Sequence, residues 1–341
     1  MTPRSLVDSL TRGFLAVAGN PGLILAPLAL WVAAGIVIIL PLVALAFYFG
    51  LALLGGFGAF DRNREGVASF VKAVLTSLTT DGAPWLICLL VLAVALLVVA
   101  LLAAFVRGGV MSVLLAADLK APERGRRLDF HVAAAGPLFF RDARRFFGRM
   151  FGLFNVYGAG VSVGALVFLA GAAGLLYTAI SGGGPWVVGL LLMIAGIPVM
   201  IVVTSLCNIA LNAASREMVE KDLSLTEAVS QGLALIKRTL GGSVLLYLLL
   251  IAVGMAASSV IAAPRFLITV MSPEDRGFAA AFAVVVVLLA VVQMAVSAAA
   301  QLVANAAFIA FWGTPRAAIA PALPTPTPGL VPPVAYPAPP A

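Results

Sequence analysis

Histidine, cysteine and charged residues are all scarce in this sequence. Its 341 residues include one histidine and two cysteines, and only 10% are charged. His131 alone cannot supply the several ligands of a metal site, and we find no pairing of a nucleophile with a base. Cys88 and Cys207 both lie in apolar segments, where a structural disulfide is not expected. We therefore predict no catalytic residues, no metal and no cofactor, and that the chain is not an enzyme.

Apolar residues are abundant instead. They make up 62% of the chain, and the mean hydropathy is +1.13. A soluble domain usually contains about 25% charged residues, and most of its surface positions must face water. This composition therefore favours an integral membrane protein.

Six uninterrupted apolar runs are long enough to cross a bilayer, because about 18 or more apolar residues suffice for a spanning helix. The predicted fold class is all-α, with six transmembrane helices. A cleaved signal peptide, with residues 44–46 as the cleavage site, is an alternative for the first run, but that run is too long for one. The six runs cover roughly residues 22–54, 84–117, 150–179, 185–214, 241–263 and 277–312.

Basic residues are distributed unevenly between the predicted loops. The net charge is +7, but the charges lie between apolar runs, so we do not expect nucleic acid as a partner. Most basic residues fall in the N-terminal segment, the loops at 118–149 and 215–240, and the tail. We expect the protein in the inner (plasma) membrane of the cell. The positive-inside bias then predicts that both termini are cytoplasmic.

An amphipathic stretch precedes each pair of predicted spans. In residues 138–151 the arginines occupy one helical arc and the phenylalanines the opposite arc, and residues 4–17 and 224–240 repeat the pattern. Such segments are typical of helices at the membrane interface. We predict three co-oriented repeats around a pseudo-threefold axis, although any six-span protein with basic inner loops looks roughly periodic. The repeats cover about 4–120, 127–221 and 224–316, within a membrane domain at 1–316.

Two sets of polar residues are the candidate sites. The first is an intramembrane cluster, which could bind a headgroup or line a path, or could only join helices by hydrogen bonds. Its members are Arg107, Ser112, Asn208, Asn212, Gln293, Gln301 and Asn305. The second set consists of candidate contacts to lipid headgroups on the amphipathic stretches: Arg141, Arg144, Arg145, Arg149, Lys237 and Arg238.

The C-terminal segment is rich in proline. We predict that residues 317–341 form a disordered cytoplasmic tail, because this composition cannot build a packed core. The tail could bind a protein partner with a proline-reading groove, but an unbound tail is the preferred interpretation.

The layout resembles that of bacterial six-span families of unknown function, including the membrane domain attached to glycerophosphoryl diester phosphodiesterases. The resemblance depends on residues 127–151 and 215–242, notably Ser215-Arg216-Glu217 and Ser224-Leu225-Thr226-Glu227-Ala228. It implies the six-span architecture. The phosphodiesterase activity of those relatives belongs to a separate soluble domain with histidine and acid clusters, so it is not implied for this chain.

Two functional hypotheses follow. The first is a non-enzymatic membrane protein that organises lipid or a membrane complex, with anionic membrane lipids as its partners. The alternative is a transporter or permease-like subunit for a lipid or another amphiphile, which would use the intramembrane amide cluster.

Overall fold

The computed structural model describes residues 4–54, 82–122, 125–181, 186–270 and 276–313. Every regular element in these ranges is helical, as the sequence predicts. The predicted tail at 317–341 lies outside the described residues. The α-helices, which we number in chain order, are α1 (Leu6–Gly19), α2 (Leu25–Leu54), α3 (Gly82–Lys120), α4 (Ala135–Ser181), α5 (Trp186–Lys221), α6 (Leu225–Val270) and α7 (Arg276–Trp312).

Five helical segments in the described ranges are long and apolar enough to cross a membrane. This confirms the prediction of a multi-span helical architecture at that level. The remaining predicted run, at 150–179, forms the C-terminal part of α4 and follows the charged N-terminal part of that helix. The five segments are Pro21–Ile39, Leu90–Lys120, Val187–Lys221, Leu225–Val260 and Val285–Trp312.

The amphipathic stretches differ in how they join the apolar segments. α1 is a separate helix, because Asn20 leaves the helical conformation and a short 3-10 helix, Pro21–Ile24, follows it. The stretch at 138–151 instead runs into 150–179 without a break. The stretch at 224–240 runs on through α6, with a kink at Thr239 (φ −127°, ψ 18°). Two of the three predicted interfacial helices are thus the first turns of long helices.

Each amphipathic segment packs on the helix that precedes it in the chain, except α1, which packs on the last helix. α1 packs on α7, α4 packs on α3, and α6 packs on α5. Each apolar helix also contacts its neighbour in the chain, since α2 packs on α3, α4 on α5 and α6 on α7. α3, α5 and α7 contact one another, so they lie at the centre of the bundle.

Small residues allow the closest of these approaches. A Cβ atom added to Gly13 of α1 would lie 2.8 Å from the Val303 carbonyl oxygen of α7. A Cβ atom added to Gly232 of α6 would lie 2.8 Å from the backbone nitrogen of Ala214 in α5. These distances are too short for a real side chain, so both crossings require glycine at that position.

The buried core and most of the described charges occupy one end of the bundle. We call this region the basic end (residues 4–20, 104–122, 125–157, 207–243 and 302–313). Phe130, Met150 and Leu246 have almost no exposed surface in or beside it. Farther along the bundle, side chains such as Leu191 and Val287 are about 60% exposed. An apolar surface of that kind is typical of helices that face lipid.

Candidate functional site

A buried cluster of charges joins α1 to the ends of α3 and α7. The Arg12 Nε atom donates to the Asp118 carboxylate at 2.8 Å, and Arg12 Nη1 donates to the Pro122 carbonyl at 2.8 Å. Arg4 Nη1 donates to the same carboxylate at 3.1 Å and to the Ala310 carbonyl at 3.1 Å. The side chains of these three charged residues are at most 9% exposed. Two cations and one anion thus hold three helix ends together away from water.

The loop between α3 and α4 is held to the end of α1 by hydrogen bonds. The Asn20 side-chain amide donates to the Phe130 carbonyl at 2.8 Å, and its oxygen accepts from the Val132 backbone at 3.0 Å. Arg127 Nε donates to the Ala18 carbonyl at 2.7 Å. His131 Nδ1 lies 3.0 Å from the carbonyl oxygen of the last α1 residue. A carbonyl only accepts, so the proton is on Nδ1 and Nε2 is left for another partner.

Two arginines of the amphipathic part of α4 bind the connection between α5 and α6. Arg145 pairs with the Asp222 carboxylate, and Arg149 Nη2 donates to it at 2.9 Å. Asp222 has a φ of 54°, and Arg149 also donates to the Leu223 carbonyl at 2.8 Å. The hydrogen bonds from Arg149 and Arg145 lower the pKa of Asp222 below its ordinary value. Both arginines were predicted to contact headgroups, but here they stabilise a turn of the protein.

The end of α5 carries a second group of charges that the sequence analysis did not select. Arg216 pairs with Glu217 at 2.9 Å and with Glu220 at 2.6 Å, and Lys221 pairs with Glu217. Arg216 and Glu217 are buried. Their only signal in the sequence is the helical spacing of opposite charges, which is also common on solvated faces.

The predicted intramembrane cluster is partly assembled. Arg107 of α3 donates from Nη2 to the Asn212 side-chain oxygen at 2.8 Å and from Nε to the Ser215 hydroxyl at 3.0 Å. Its guanidinium lies 5.8 Å from the centre of the Phe154 ring. The Asn212 amide donates in turn to the Asn208 carbonyl at 3.0 Å. A cation in the apolar part of the bundle thus has neutral oxygen partners and an aromatic ring.

The other members of this set are placed less consistently. Asn208 lies 3.5 Å from the Tyr247 hydroxyl of α6, and the Ser112 hydroxyl donates to a carbonyl of its own helix. Asn305 is buried, whereas Gln301, one turn before it, is exposed. Gln293 is half-buried. The structure therefore connects Arg107 to the α5 amides, but it does not bring all seven residues of the predicted cluster together.

The remaining candidate headgroup contacts fall into two groups. Arg141 is occupied by the neighbouring Asp142 carboxylate, to which its Nε donates at 2.7 Å. Arg144, Lys237 and Arg238 are exposed, and in the described part of the chain none of the three contacts a carboxylate. Their charges are therefore available to an external anion.

The apolar face of residues 138–151 is covered mainly by protein. Phe139, Phe146 and Met150 are buried, and Phe139 meets Phe105 of α3 edge to face with 6.2 Å between ring centres. Phe140 is more than half exposed. The sequence pattern predicts that this face contacts the membrane interface. In the structure, protein covers most of its rings, and Phe140 is the ring that stays mainly exposed.

Two apolar cavities flank the junction between α1 and α2. The larger, which we call the groove, has a volume of about 840 Å³ and lies between α2, α3 and the start of α4. The smaller has a volume of about 390 Å³ and lies between α1, α6 and α7. Pro21 lines both. Neither is lined by a member of the intramembrane polar cluster.

The described ranges contain no group of three or more histidine, cysteine or acidic residues that could hold a metal ion. The described site offers exposed guanidinium and ammonium groups on Arg144, Lys237 and Arg238, and two apolar cavities. No family model, no curated protein and no solved structure matches this sequence.

Proposed function

We propose that this chain is a non-enzymatic, multi-pass membrane protein that organises anionic lipid at its basic end. One observation carries the proposal: Arg144, Lys237 and Arg238 are exposed on amphipathic segments, beside helices that are apolar enough to span a membrane. Anionic headgroups are the partners that such cations meet at a membrane surface.

The arrangement of charges supports this function. The carboxylates of Asp118, Asp142 and Asp222 are each bound by arginine within the protein. They therefore cannot neutralise the exposed cations of the same end. A juxtamembrane cation contributes about 1 kcal/mol to attraction towards an anionic surface, so a few uncompensated cations suffice for a preference among lipids.

We also propose six spans in three repeats, with both termini in the cytoplasm. The run at 150–179 would be the sixth span, because its residues 168–175 pack on residues 189–196 of α5, a helix that is apolar enough to span a membrane. Cyclic packing supports the repeats: each amphipathic segment lies on the second span of the preceding unit, and α1 closes the circle on α7. Gly13 and Gly232 each follow a serine N-cap by eight residues and make equivalent crossings.

The transporter alternative has less support. It needs a cavity that the amides of α5 and α7 can reach, but the two apolar cavities lie elsewhere. Asn212 is occupied by Arg107, and Gln301 faces outward. These residues are better explained as hydrogen-bonding contacts between helices.

Lipid selectivity tests the proposed function. The full chain would be reconstituted in vesicles of phosphatidylcholine and phosphatidylglycerol, and spin-labelled lipids would report which headgroup is enriched at the protein surface. We expect enrichment of phosphatidylglycerol in the wild type. Replacing Arg144, Lys237 and Arg238 by glutamine should remove most of it.

A charge-conserving variant is the matched control. Exchanging lysine for arginine and arginine for lysine at the same three positions should preserve the enrichment, because the sign and location of the charges are unchanged. Equal enrichment in the glutamine variant and the wild type would refute the proposed role of these cations. Absence of any preference in the wild type would refute the function itself.

A further inference from the structure

We infer that the groove between α2, α3 and the start of α4 is a binding site for one anionic phospholipid. The inference rests on the proposed function and assigns it a specific site. An acyl chain would lie along the groove, and the phosphate would lie at the end that the α3–α4 loop forms.

The size and lining of the groove fit an acyl chain. Its volume of about 840 Å³ is within the range of about 300–1,000 Å³ that is usual for sites of small ligands. Leu30, Leu102 and Phe139 are typical of its walls, and each belongs to a different helix. Among the described residues that line it, Asn20 and His131 are the only ones with polar side chains.

Both polar residues lie at the same end of the groove. Asn20 uses its amide group to hold the loop, so it is not available to a ligand. His131 is exposed, and its Nδ1 atom faces the Gly19 carbonyl, which leaves Nε2 for a ligand. Nε2 donates a hydrogen bond to a phosphate oxygen when the ring carries a proton on both nitrogens; in the neutral ring with the proton on Nδ1 it only accepts.

A cation beside the loop makes this end complementary to a phosphate. Lys120, the last residue of α3, donates from Nζ to the His131 carbonyl oxygen at 3.0 Å. This contact holds the ammonium group next to a residue that lines the groove. Arg127 of the same loop lines the smaller cavity instead. Charge complementarity selects an anionic phospholipid over a zwitterionic one, whose headgroup brings its own cation.

The groove is open where exposed apolar residues line it. Leu25 and Ala29 of α2 line it and are exposed, as is Phe140 on the α4 side. A lipid could therefore enter sideways from the bilayer without separation of the packed helices. The smaller cavity is only about half as large, which makes it the natural control.

Two glycines provide a matched pair of variants. Gly136 lines the groove and Gly254 lines the smaller cavity. A Cβ atom added at either position meets nothing within 4 Å, so a side chain there can be accommodated by the fold. Gly136→Trp should fill the groove, and Gly254→Trp should fill the smaller cavity.

The experiment measures the phospholipid that each full-length variant retains. The proteins would be purified in detergent, incubated with equal amounts of phosphatidylglycerol and phosphatidylcholine, washed with detergent and analysed by native mass spectrometry. We expect one retained phosphatidylglycerol per wild-type chain. Gly136→Trp should lower its retention several-fold, and Gly254→Trp should leave it unchanged. His131→Gln combined with Lys120→Gln should reduce the preference for phosphatidylglycerol over phosphatidylcholine.

The outcomes separate this inference from the proposed function. Unchanged retention in Gly136→Trp would overturn the groove as the site, even if the exposed arginines and lysine still enrich anionic lipid around the protein. Equal retention of the two phospholipids by the wild type would overturn the assignment of an anionic headgroup. Loss of retention in both tryptophan variants would also overturn it, because the effect would not be specific to the groove.

Discussion

Neutralising Asp118 should destabilise the protein more than any equally small change at an exposed ion pair. The carboxylate is bound by Arg4 and Arg12, and the exposed fractions of the three side chains are 9%, 8% and 3%. Asp118→Asn keeps the shape and one acceptor oxygen but removes the only negative charge that is described in this cluster. Two buried guanidinium groups would then lose the carboxylate that they share.

The size of the effect follows from this burial. Removing one partner of a buried ion pair costs about 3–5 kcal/mol, because the remaining charge stays away from water. Arg12 would keep the carbonyls of Pro122 and residue 118, and Arg4 would keep the Ala310 carbonyl. We therefore expect a loss near the lower limit, about 3 kcal/mol.

Unfolding in mixed micelles of a mild detergent and dodecyl sulfate would measure the loss, with circular dichroism as the signal. Asp222→Asn is the control, because it removes the same charge from an exposed pair with Arg145 and Arg149. Exposed pairs contribute little to stability, so this variant should be close to the wild type. If Asp118→Asn unfolds no more easily than Asp222→Asn, the buried cluster does not have the role assigned to it.

Three further predictions concern packing, the buried arginine and pH, and the same unfolding measurement checks each. Gly232→Ala should destabilise the protein by about 1–3 kcal/mol through overpacking. Gly148→Ala is the control: an added Cβ there meets nothing within 4 Å, so this variant should be more stable by about 0.5–1 kcal/mol. Equal effects of the two variants would refute the close crossing. Arg107→Met should be neutral or stabilising, but Asn212→Leu should destabilise because it leaves a charge unpaired; the reverse order would show that the arginine itself is needed. Because the folded-state pKa of Asp222 is lowered, its small stabilising effect is present above the ordinary aspartate pKa of about 3.9 and is lost as the pH falls through the folded value. Asp222→Asn should therefore lose slightly less stability than the wild type on acidification, and an equal loss would contradict a contribution from this ion pair.

The helices could be predicted from the sequence, because the length of an apolar run determines whether it can cross a membrane. That Arg107 has polar partners could also be predicted, because a cation inside the membrane requires oxygen atoms from a neighbouring helix. Which helix covers each amphipathic face could not be predicted from the apolar periodicity. Periodicity identifies an apolar face but contains no information about what packs against it.

The sequence does contain a signal for that packing. Ser5 and Ser224 are each followed eight residues later by a glycine. The partner helices carry Asn212-Ala213-Ala214 and Asn305-Ala306-Ala307. Gly232 crosses at the last alanine of the first triplet, and the Cβ of a residue at position 13 would meet the last alanine of the second. Matching these small residues would have predicted two of the three cyclic contacts.

The groove has its origin in a difference between the proposed repeats. In the second and third units the amphipathic segment continues directly into its span, so α4 and α6 leave no gap at that junction. In the first unit, Asn20 and the 3-10 helix Pro21–Ile24 separate α1 from α2. This turn displaces the start of α2 from the course that a continuous helix would follow, and Pro21 lines a cavity on either side of it. Because only one of the three proposed repeats has this groove, a lipid bound there would distinguish one side of the bundle from the others.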